Sequence, residues 1–167
     1  AAPGLVNRPP VPLPQIPDTA AILLNLPTLT SSDITPRYHV AYNASEIPWP
    51  GASLRWSLDG GASFFEVDAH DVEGITGIVA IATASANYHV LDTSTEIIVV
   101  LNDGALVSVS DTALYNGANL CSLGSEVLAF GLASLVGAQT YRLSRLLRGR
   151  RGTEWAVGLH TNTEVFA

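Results

Sequence analysis

Five arginines lie close together late in the sequence and form the densest set of side chains that could do chemistry. They are Arg142, Arg145, Arg148, Arg150 and Arg151. Guanidinium groups bind phosphates and carboxylates through paired, charge-assisted hydrogen bonds. The sequence therefore predicts anion contact or salt bridging, within the chain or between subunits, and we take these five as candidate interface residues.

The charge of the whole chain favours carboxylates over nucleic acid as the partners of these arginines. Residues 1–141 carry three arginines against 13 acidic residues, whereas residues 142–167 carry five arginines against two, and the net charge is -7. An acidic chain that lacks a series of aromatic residues along a basic groove is a poor nucleic-acid binder. Salt bridging with the acidic remainder is therefore the main prediction.

The remaining polar residues predict no catalytic, cofactor or metal site. The sequence has no Gly-x-Ser-x-Gly turn to present a nucleophilic serine, and Cys121 has no base beside it, so we expect a small buried hydrophobic residue there. Residues 68–74 hold several carboxylates and His70, but they lack the ligand order of a calcium-binding loop. We expect no enzymatic activity from this chain.

The elements that must position the arginines are predicted to be strands. No stretch of about twelve residues shows helical periodicity, and β-type runs recur every 8 to 14 residues or so, which predicts an all-β fold, an antiparallel sandwich or barrel-like domain with short helical turns. The predicted strands are residues 21–26, 37–43, 53–58, 63–68, 75–83, 96–101, 105–110, 126–135, 140–148 and 154–160.

Glycine-containing turns and one short helix complete the predicted elements. Residues 59–61 (Asp-Gly-Gly) and 102–104 (Asn-Asp-Gly) have the composition of hairpin turns, and the second is expected to join the runs on either side of it. Residues 57–64 look like a single Asp-box turn, in which Asp59 accepts backbone hydrogens. A short helix is expected near residues 112–115.

The chain is expected to comprise a linker and one domain. Six of the ten prolines lie in the first 17 residues, so residues 1–18 are predicted to be a proline-rich interdomain linker and residues 19–167 a β-rich domain, a fragment of a larger protein. The longest apolar run, residues 127–138, is well short of the roughly 20 residues that a membrane helix needs. No membrane span is predicted.

The segment from Thr140 to Glu154, TYRLSRLLRGRRGTE, resembles a signature of the large tail-tip (baseplate hub) proteins of siphophages and gene transfer agents. Weaker likenesses occur at residues 23–29, 56–61 and 119–130. The family usually continues into His-x-x-Gly-Glu-x-Phe, which is similar to residues 160–166, except that Thr163 replaces the glycine.

This resemblance implies a structural domain at the distal tail of a virion or gene-transfer-agent particle, made in the bacterial cytoplasm. It implies a homotrimer around the tail axis, contacts with other tail and baseplate proteins, and a part in tail assembly and in attachment to or penetration of the host cell envelope. Some members carry a glycosidase domain elsewhere. The alternative is a carbohydrate- or receptor-binding β-sandwich module that contacts cell-surface glycan through Trp49, Trp56 and Tyr115.

Overall fold

The computed structural model describes residues 18–30, 32, 35, 37–44, 49–81 and 84–167. The predicted linker lies outside the described residues, apart from Asp18. Within the described ranges the chain forms ten strands and one short helix. They are β1 (Thr19–Leu24), β2 (His39–Ala44), β3 (Ala52–Trp56), β4 (Phe65–His70), β5 (Gly77–Val79), β6 (Ile97–Leu101), α1 (Asp111–Tyr115), β7 (Leu120–Leu123), β8 (Glu126–Gly137), β9 (Thr140–Arg150) and β10 (Val165–Phe166).

Six of these strands close into an antiparallel barrel, in the order β10-β5-β6-β9-β8-β7. This confirms the predicted all-β fold and selects a barrel as the form it takes. The long hairpin of β8 and β9 forms the largest part of the wall, and Gln139 turns between the two strands with a positive φ of 48°. Both faces of these strands matter, because the inner face fills the barrel and the outer face carries most of the arginines.

The barrel is filled by aliphatic and aromatic side chains from all six strands. Ile97, Val99 and Leu101 of β6 are buried, whereas Ile98 and Val100 between them are half-buried, as strand geometry requires when one face meets a core. The same core takes Leu128 and Phe130 from β8 and a set from the other strands: Val79, Cys121, Leu123, Tyr141, Leu143, Leu146 and Phe166.

The closing strand β10 consists of only two residues. Val165 pairs with Ile78 of β5, and Phe166 pairs with Gly77 of β5 and with Leu123 of β7. Gly77 is required here because a Cβ atom at this position would lie 2.3 Å from the carbonyl oxygen of Val100. The buried Phe166 ring and these few backbone hydrogen bonds therefore join the two edges of the barrel.

Two small sheets precede the barrel along the chain. β1 pairs with β2 over six residues, and β3 pairs with β4 with a bulge between Leu54 and Arg55. A cleft of about 280 Å³ lies between the first sheet and the barrel, with Leu24 and Val40 on one side and Leu120 and Val127 on the other. In the second sheet every residue of β4 is exposed.

The turn predicted at residues 57–64 is confirmed as turn architecture. The carboxylate of Asp59 accepts hydrogen bonds from the backbone N–H and the hydroxyl of Ser63 and from the hydroxyl of Ser57. These bonds, those from Ser63 foremost, lower the pKa of Asp59 well below its usual range. Gly60 and Gly61 supply the positive φ angles that let the chain reverse.

Most predicted strands are confirmed with small shifts of their ends, and the short helix is confirmed as α1. Two predicted strands are wrong. Residues 105–110 form no strand, and β6 pairs with β5 and β9 instead of with this segment. Residues 154–160 form a short 3₁₀ turn and a loop, because Gly152 and Gly158 take positive φ angles on either side and curl the segment back. β7 and β10 were missed.

Candidate functional site

The five candidate arginines lie along β9 and the residues after it, but the structure divides them into three groups. Arg142 and Arg145 project from the barrel wall, Arg148 is buried, and Arg150 and Arg151 are exposed where β9 ends. Each group has a different role in the fold.

Arg142 and Arg145 bind acidic side chains of the same chain. The Nε atom of Arg142 lies 3.4 Å from Oε2 of Glu96. Arg145 has a positive φ of 57° and places its guanidinium on Asp111, with 3.1 Å between Nε and Oδ1. Asp111 is the first residue of α1, so the Arg145 pair ties this short helix to β9. Both arginines therefore form salt bridges within the chain.

Arg148 departs from its prediction as an interface residue. Its side chain is 0% exposed and forms a bidentate pair with Glu126, with 2.8 Å between Nε and Oε1 and 2.8 Å between Nη2 and Oε2. The side chain of Glu126 is also 0% exposed. Arg148 therefore offers no contact surface in this fold, because the positive φ at Arg145 reverses the alternation along β9 and puts Leu146 and Arg148 on the buried side.

Glu126 is the centre of a buried network that includes His160 and Glu164. Besides Arg148, the Glu126 carboxylate accepts the backbone N–H of Gly149 at 2.8 Å, and its Oε2 lies 2.6 Å from Nε2 of His160. The other ring nitrogen of His160, Nδ1, lies 2.8 Å from Oε2 of Glu164. We call Glu126, Arg148, His160 and Glu164 the ionic clamp.

The geometry of the ionic clamp requires a charged imidazole. Each ring nitrogen of His160 faces a carboxylate, and only the imidazolium form donates hydrogen from both nitrogens. Burial opposes that charge, but the hydrogen bonds to Glu126 and Glu164 outweigh it and raise the pKa of His160. Burial likewise opposes the charge of Glu126, yet the hydrogen bonds from His160 and Arg148 lower its pKa to about 2. Arg148 and the imidazolium of His160 thus face the carboxylates of Glu126 and Glu164.

The ionic clamp closes the base of a loop, residues 149–159, which we call the arginine loop. Arg148 immediately precedes this loop and His160 immediately follows it, and both bind the same carboxylate. Inside the loop, the Thr153 hydroxyl donates to the Arg150 carbonyl at 2.7 Å and accepts the Val127 N–H at 2.9 Å. A Cβ atom on Gly149 would lie 2.9 Å from Cα of Glu154. The loop is therefore fixed at both ends and in the middle.

The outer side of the arginine loop presents charged and apolar groups to solvent. Arg150 and Arg151 are exposed, the Trp155 side chain is 67% exposed and Leu159 is 65% exposed. In the described part of the chain, neither of these two guanidinium groups forms a salt bridge. Arginine and tryptophan on a rigid support are the residue types that dominate binding energy at protein interfaces.

The other predicted residues do not form a common site. Trp49 is half-buried, donates its indole N–H to the Thr19 hydroxyl at 2.8 Å and packs near Tyr42. Trp56 is exposed at the far end of β3, and Tyr115 is exposed on α1. These three candidate glycan contacts therefore lie on separate elements.

Cys121 is buried in the barrel core, as predicted. Burial, with the nearby negative charge of Glu126, raises the pKa of its thiol far above the usual range. Asp68 and His70 of the acidic run pair with each other on β4, at 3.1 Å. Across the described ranges, no group of three or more potential ligands is placed to hold a metal ion.

Comparison with known proteins places the barrel in a family. A family model described as Rcc01698-like, C-terminal, matches residues 74–167. The chain belongs to the Rcc01698-like family. The Rcc01698-like region contains all six barrel strands, the ionic clamp and the arginine loop, and it begins after the two small sheets. No curated protein matches the chain significantly.

In the described ranges, no helix has the length and apolar character needed to cross a membrane.

Sequence reasoning missed Glu126, His160 and Glu164, which join Arg148 in the ionic clamp. Their separations of 22 and 34 residues give no local pattern. One signal was present: three positions of the resembling His-x-x-Gly-Glu-x-Phe stretch are His160, Glu164 and Phe166. The first two belong to the ionic clamp and the third closes the barrel.

Proposed function

We propose that this chain is a structural domain of a phage-like tail-tip, or baseplate hub, protein, which takes part in tail assembly and in attachment to or penetration of the host cell envelope. The observation that carries the proposal is the arginine loop. Its first part, residues 149–154, belongs to the segment that resembles the tail-tip signature. Its rigid base supports exposed arginine and tryptophan side chains that have no partner within the described chain.

The way the loop is built supports binding better than turnover. Both oxygens of Glu126 and both ring nitrogens of His160 are already bonded within the described structure, so neither group is free to act on a substrate. The ionic clamp holds the chain in place, and the exposed groups above it are free to meet another protein.

Light scattering at several protein concentrations tests the proposal. We expect the wild-type chain to self-associate, with a trimer as the expected mass, and we expect Arg150→Ala/Arg151→Ala to weaken that association. Arg142→Ala is the matched control, since its guanidinium already binds Glu96. The assembly proposal fails if the chain neither self-associates nor binds purified tail or baseplate proteins in a pull-down.

Glycan or receptor binding is the second candidate, favoured by the exposed indole of Trp56 on β3. A glycan that stacks on this ring should shift its fluorescence, and Trp56→Ala should abolish the shift. If no sugar in a screen of bacterial surface polysaccharides changes the emission, this candidate is excluded for the sugars tested.

A further inference from the structure

The hairpin of β3 and β4 has one apolar face that nothing covers in the described structure. Trp56 and Phe65 are direct cross-strand partners on this face, and they are 54% and 57% exposed. Leu54 lies two residues before Trp56 and points to the same side. We call the side with Leu54, Trp56 and Phe65 the hairpin face.

The opposite side of the same hairpin is polar and internally bonded. The Ser53 hydroxyl donates to Glu66 at 2.9 Å, and Arg55 lies 3.7 Å from the same carboxylate. Because strand residues alternate between the two sides, Leu54, Trp56 and Phe65 share one side and Ser53, Arg55 and Glu66 the other, with Asp68 opposite Leu54 at the edge of the apolar side. A solvated hairpin would not need this separation, whereas a hairpin that packs against another surface would.

Two physical features indicate that the hairpin face needs a partner. A lone two-stranded hairpin is at best marginally stable in water, and adjoining exposed aromatic side chains mark interaction sites on soluble proteins. Phe64 and Val67 add exposed apolar side chains elsewhere on the same hairpin.

Charge identifies the kind of partner. Residues 49–74, which include this hairpin, carry five acidic residues against one arginine. Asp68 lies on the apolar side of β4, opposite Leu54 in the register, and Asp71 follows the strand. The arginine loop has the complementary character, since Arg150 and Arg151 are exposed beside the exposed Trp155 and Leu159.

We infer that the hairpin face of one copy of this chain receives the arginine loop of a second copy. The contact joins two different surfaces, so it is heterologous and generates a closed ring when the rotation between copies allows closure. Arg150 and Arg151 pair with Asp68 and Asp71 of the neighbour, while Trp155 packs against Trp56 and Phe65. This inference rests on the proposed assembly function and adds the surfaces that carry it.

Charge reversal tests the pairing directly. We expect Arg150→Glu/Arg151→Glu and Asp68→Lys/Asp71→Lys each to weaken self-association at least about tenfold, because like charges then face each other. The quadruple variant that combines both reversals should regain self-association, since its poles are exchanged and complementary again. Sedimentation velocity at several concentrations gives the association constants, and circular dichroism confirms that each variant is folded.

The swap Arg142→Glu/Glu96→Arg is the matched control, because it exchanges an exposed ion pair on the barrel wall and touches neither surface. The inference is overturned if both double variants associate like the wild type, or if the quadruple variant does not recover. If the variants self-associate as strongly as the wild type, the assembly proposal still holds, but the contact lies on another surface. A wild-type chain that stays monomeric near about 1 mM, the weak limit of specific association, overturns the inference; assembly with other tail proteins is then tested by the pull-down described above.

Discussion

At the scale of single residues, Glu126 has the most demanding environment in the described structure. Its buried carboxylate accepts hydrogen bonds from Arg148, Gly149 and His160. A buried charge is tolerated only when its partners compensate for the lost water, and removal of one partner leaves the others uncompensated. Substitutions in the ionic clamp should therefore cost far more than substitutions in exposed ion pairs.

Glu126→Gln should lower the free energy of unfolding by about 3 to 5 kcal/mol, because the amide leaves Arg148 and His160 buried with an unbalanced positive charge. Urea unfolding measures the loss. Glu96→Gln is the control, since it breaks an exposed pair with Arg142 and should change stability by less than about 1 kcal/mol. Equal effects of the two substitutions would contradict the role of the clamp.

His160 gives stability an alkaline limit. Its pKa is raised in the folded protein, so its contribution is fully present below the unfolded value near 6.5 and is lost as the pH rises through the folded pKa. The groups that face its ring are Glu126 and Glu164, with Arg148 on the far side of Glu126. We expect the free energy of unfolding to fall as the pH is raised above about 6.5.

Thermal unfolding between pH 5 and pH 9 measures this decline, and His160→Gln should remove the decline along with part of the stability. His70→Gln is the control, because His70 pairs with Asp68 on an exposed strand. A decline of the same size in the His160→Gln protein would assign the decline to another group.

On the acid side, Glu126 behaves oppositely. Because its pKa is lowered to about 2 in the folded protein, its contribution to stability is present above the pKa of the unfolded chain and is lost as the pH falls toward the folded pKa.

Thr163 is a second residue whose environment is unusual. Its φ of 68° lies in the left-handed region, which is strained for a β-branched residue and free of strain for glycine. The resembling tail-tip stretch has glycine at this position. Thr163→Gly should therefore raise the free energy of unfolding by about 1 kcal/mol, the strain of one left-handed residue less the entropy cost of glycine. A lower midpoint of urea unfolding would contradict this account.

At the scale of elements, the arginine loop depends on its glycines in two distinct ways. Gly149 has a positive φ and also lacks space for a Cβ atom, which would lie 2.9 Å from Glu154. Gly152 has a positive φ of 85° but opens onto empty space. Substitution of Gly152 therefore tests the unfavourable φ alone, whereas substitution of Gly149 tests the same unfavourable φ together with a steric clash.

Gly149→Ala should destabilise the protein by about 2 to 3 kcal/mol and Gly152→Ala by about 1 kcal/mol, because only the first adds a steric clash to the unfavourable φ. Chemical unfolding of the two variants measures the difference. Equal losses would show that the space around Gly149 relaxes freely and that the loop is less rigid than its hydrogen bonds indicate.

The sequence predicted the larger elements and missed those that depend on distant partners. β6, β8 and β9 were found because their apolar patterns are long enough to identify a strand by themselves. β10 was missed because two residues contain no pattern, and Phe166 becomes a strand residue only through Gly77 and Leu123, far away along the chain. The ionic clamp was missed for the same reason. Its only local sign in the sequence is Glu126, a single carboxylate directly before an apolar run.

At the scale of the whole molecule, the family match and the barrel have the same limits. The match begins at Gly74, and β5, the first barrel strand, begins at Gly77. The two small sheets therefore lie outside the Rcc01698-like region, and they hold the hairpin face, while the region itself holds the arginine loop. Self-association by the proposed contact would connect one part of each chain to the other part of its neighbour.

Residues 74–167 should fold without the preceding sheets, because the barrel core is built entirely from strands within this range. Cooperative thermal unfolding of the truncated chain measures this, together with protection of the Cys121 thiol from a thiol reagent. The Cys121→Ser variant, which has no thiol, gives the background signal of the reagent. Rapid modification of Cys121 without denaturant would show that the barrel needs the sheets.

The position of β10 in the chain has a consequence for synthesis on the ribosome. Strands β5 to β9 all emerge before Val165 and Phe166, and until these two residues are available the five strands can pair only as an open sheet whose β5 and β7 edges lack neighbours. Unpaired edges invite pairing with other chains, and in polysomes other copies of the same nascent chain are close by. His160 and Glu164 leave the ribosome just ahead of the closing residues, so the contacts that stop such mispairing form last and nearly together.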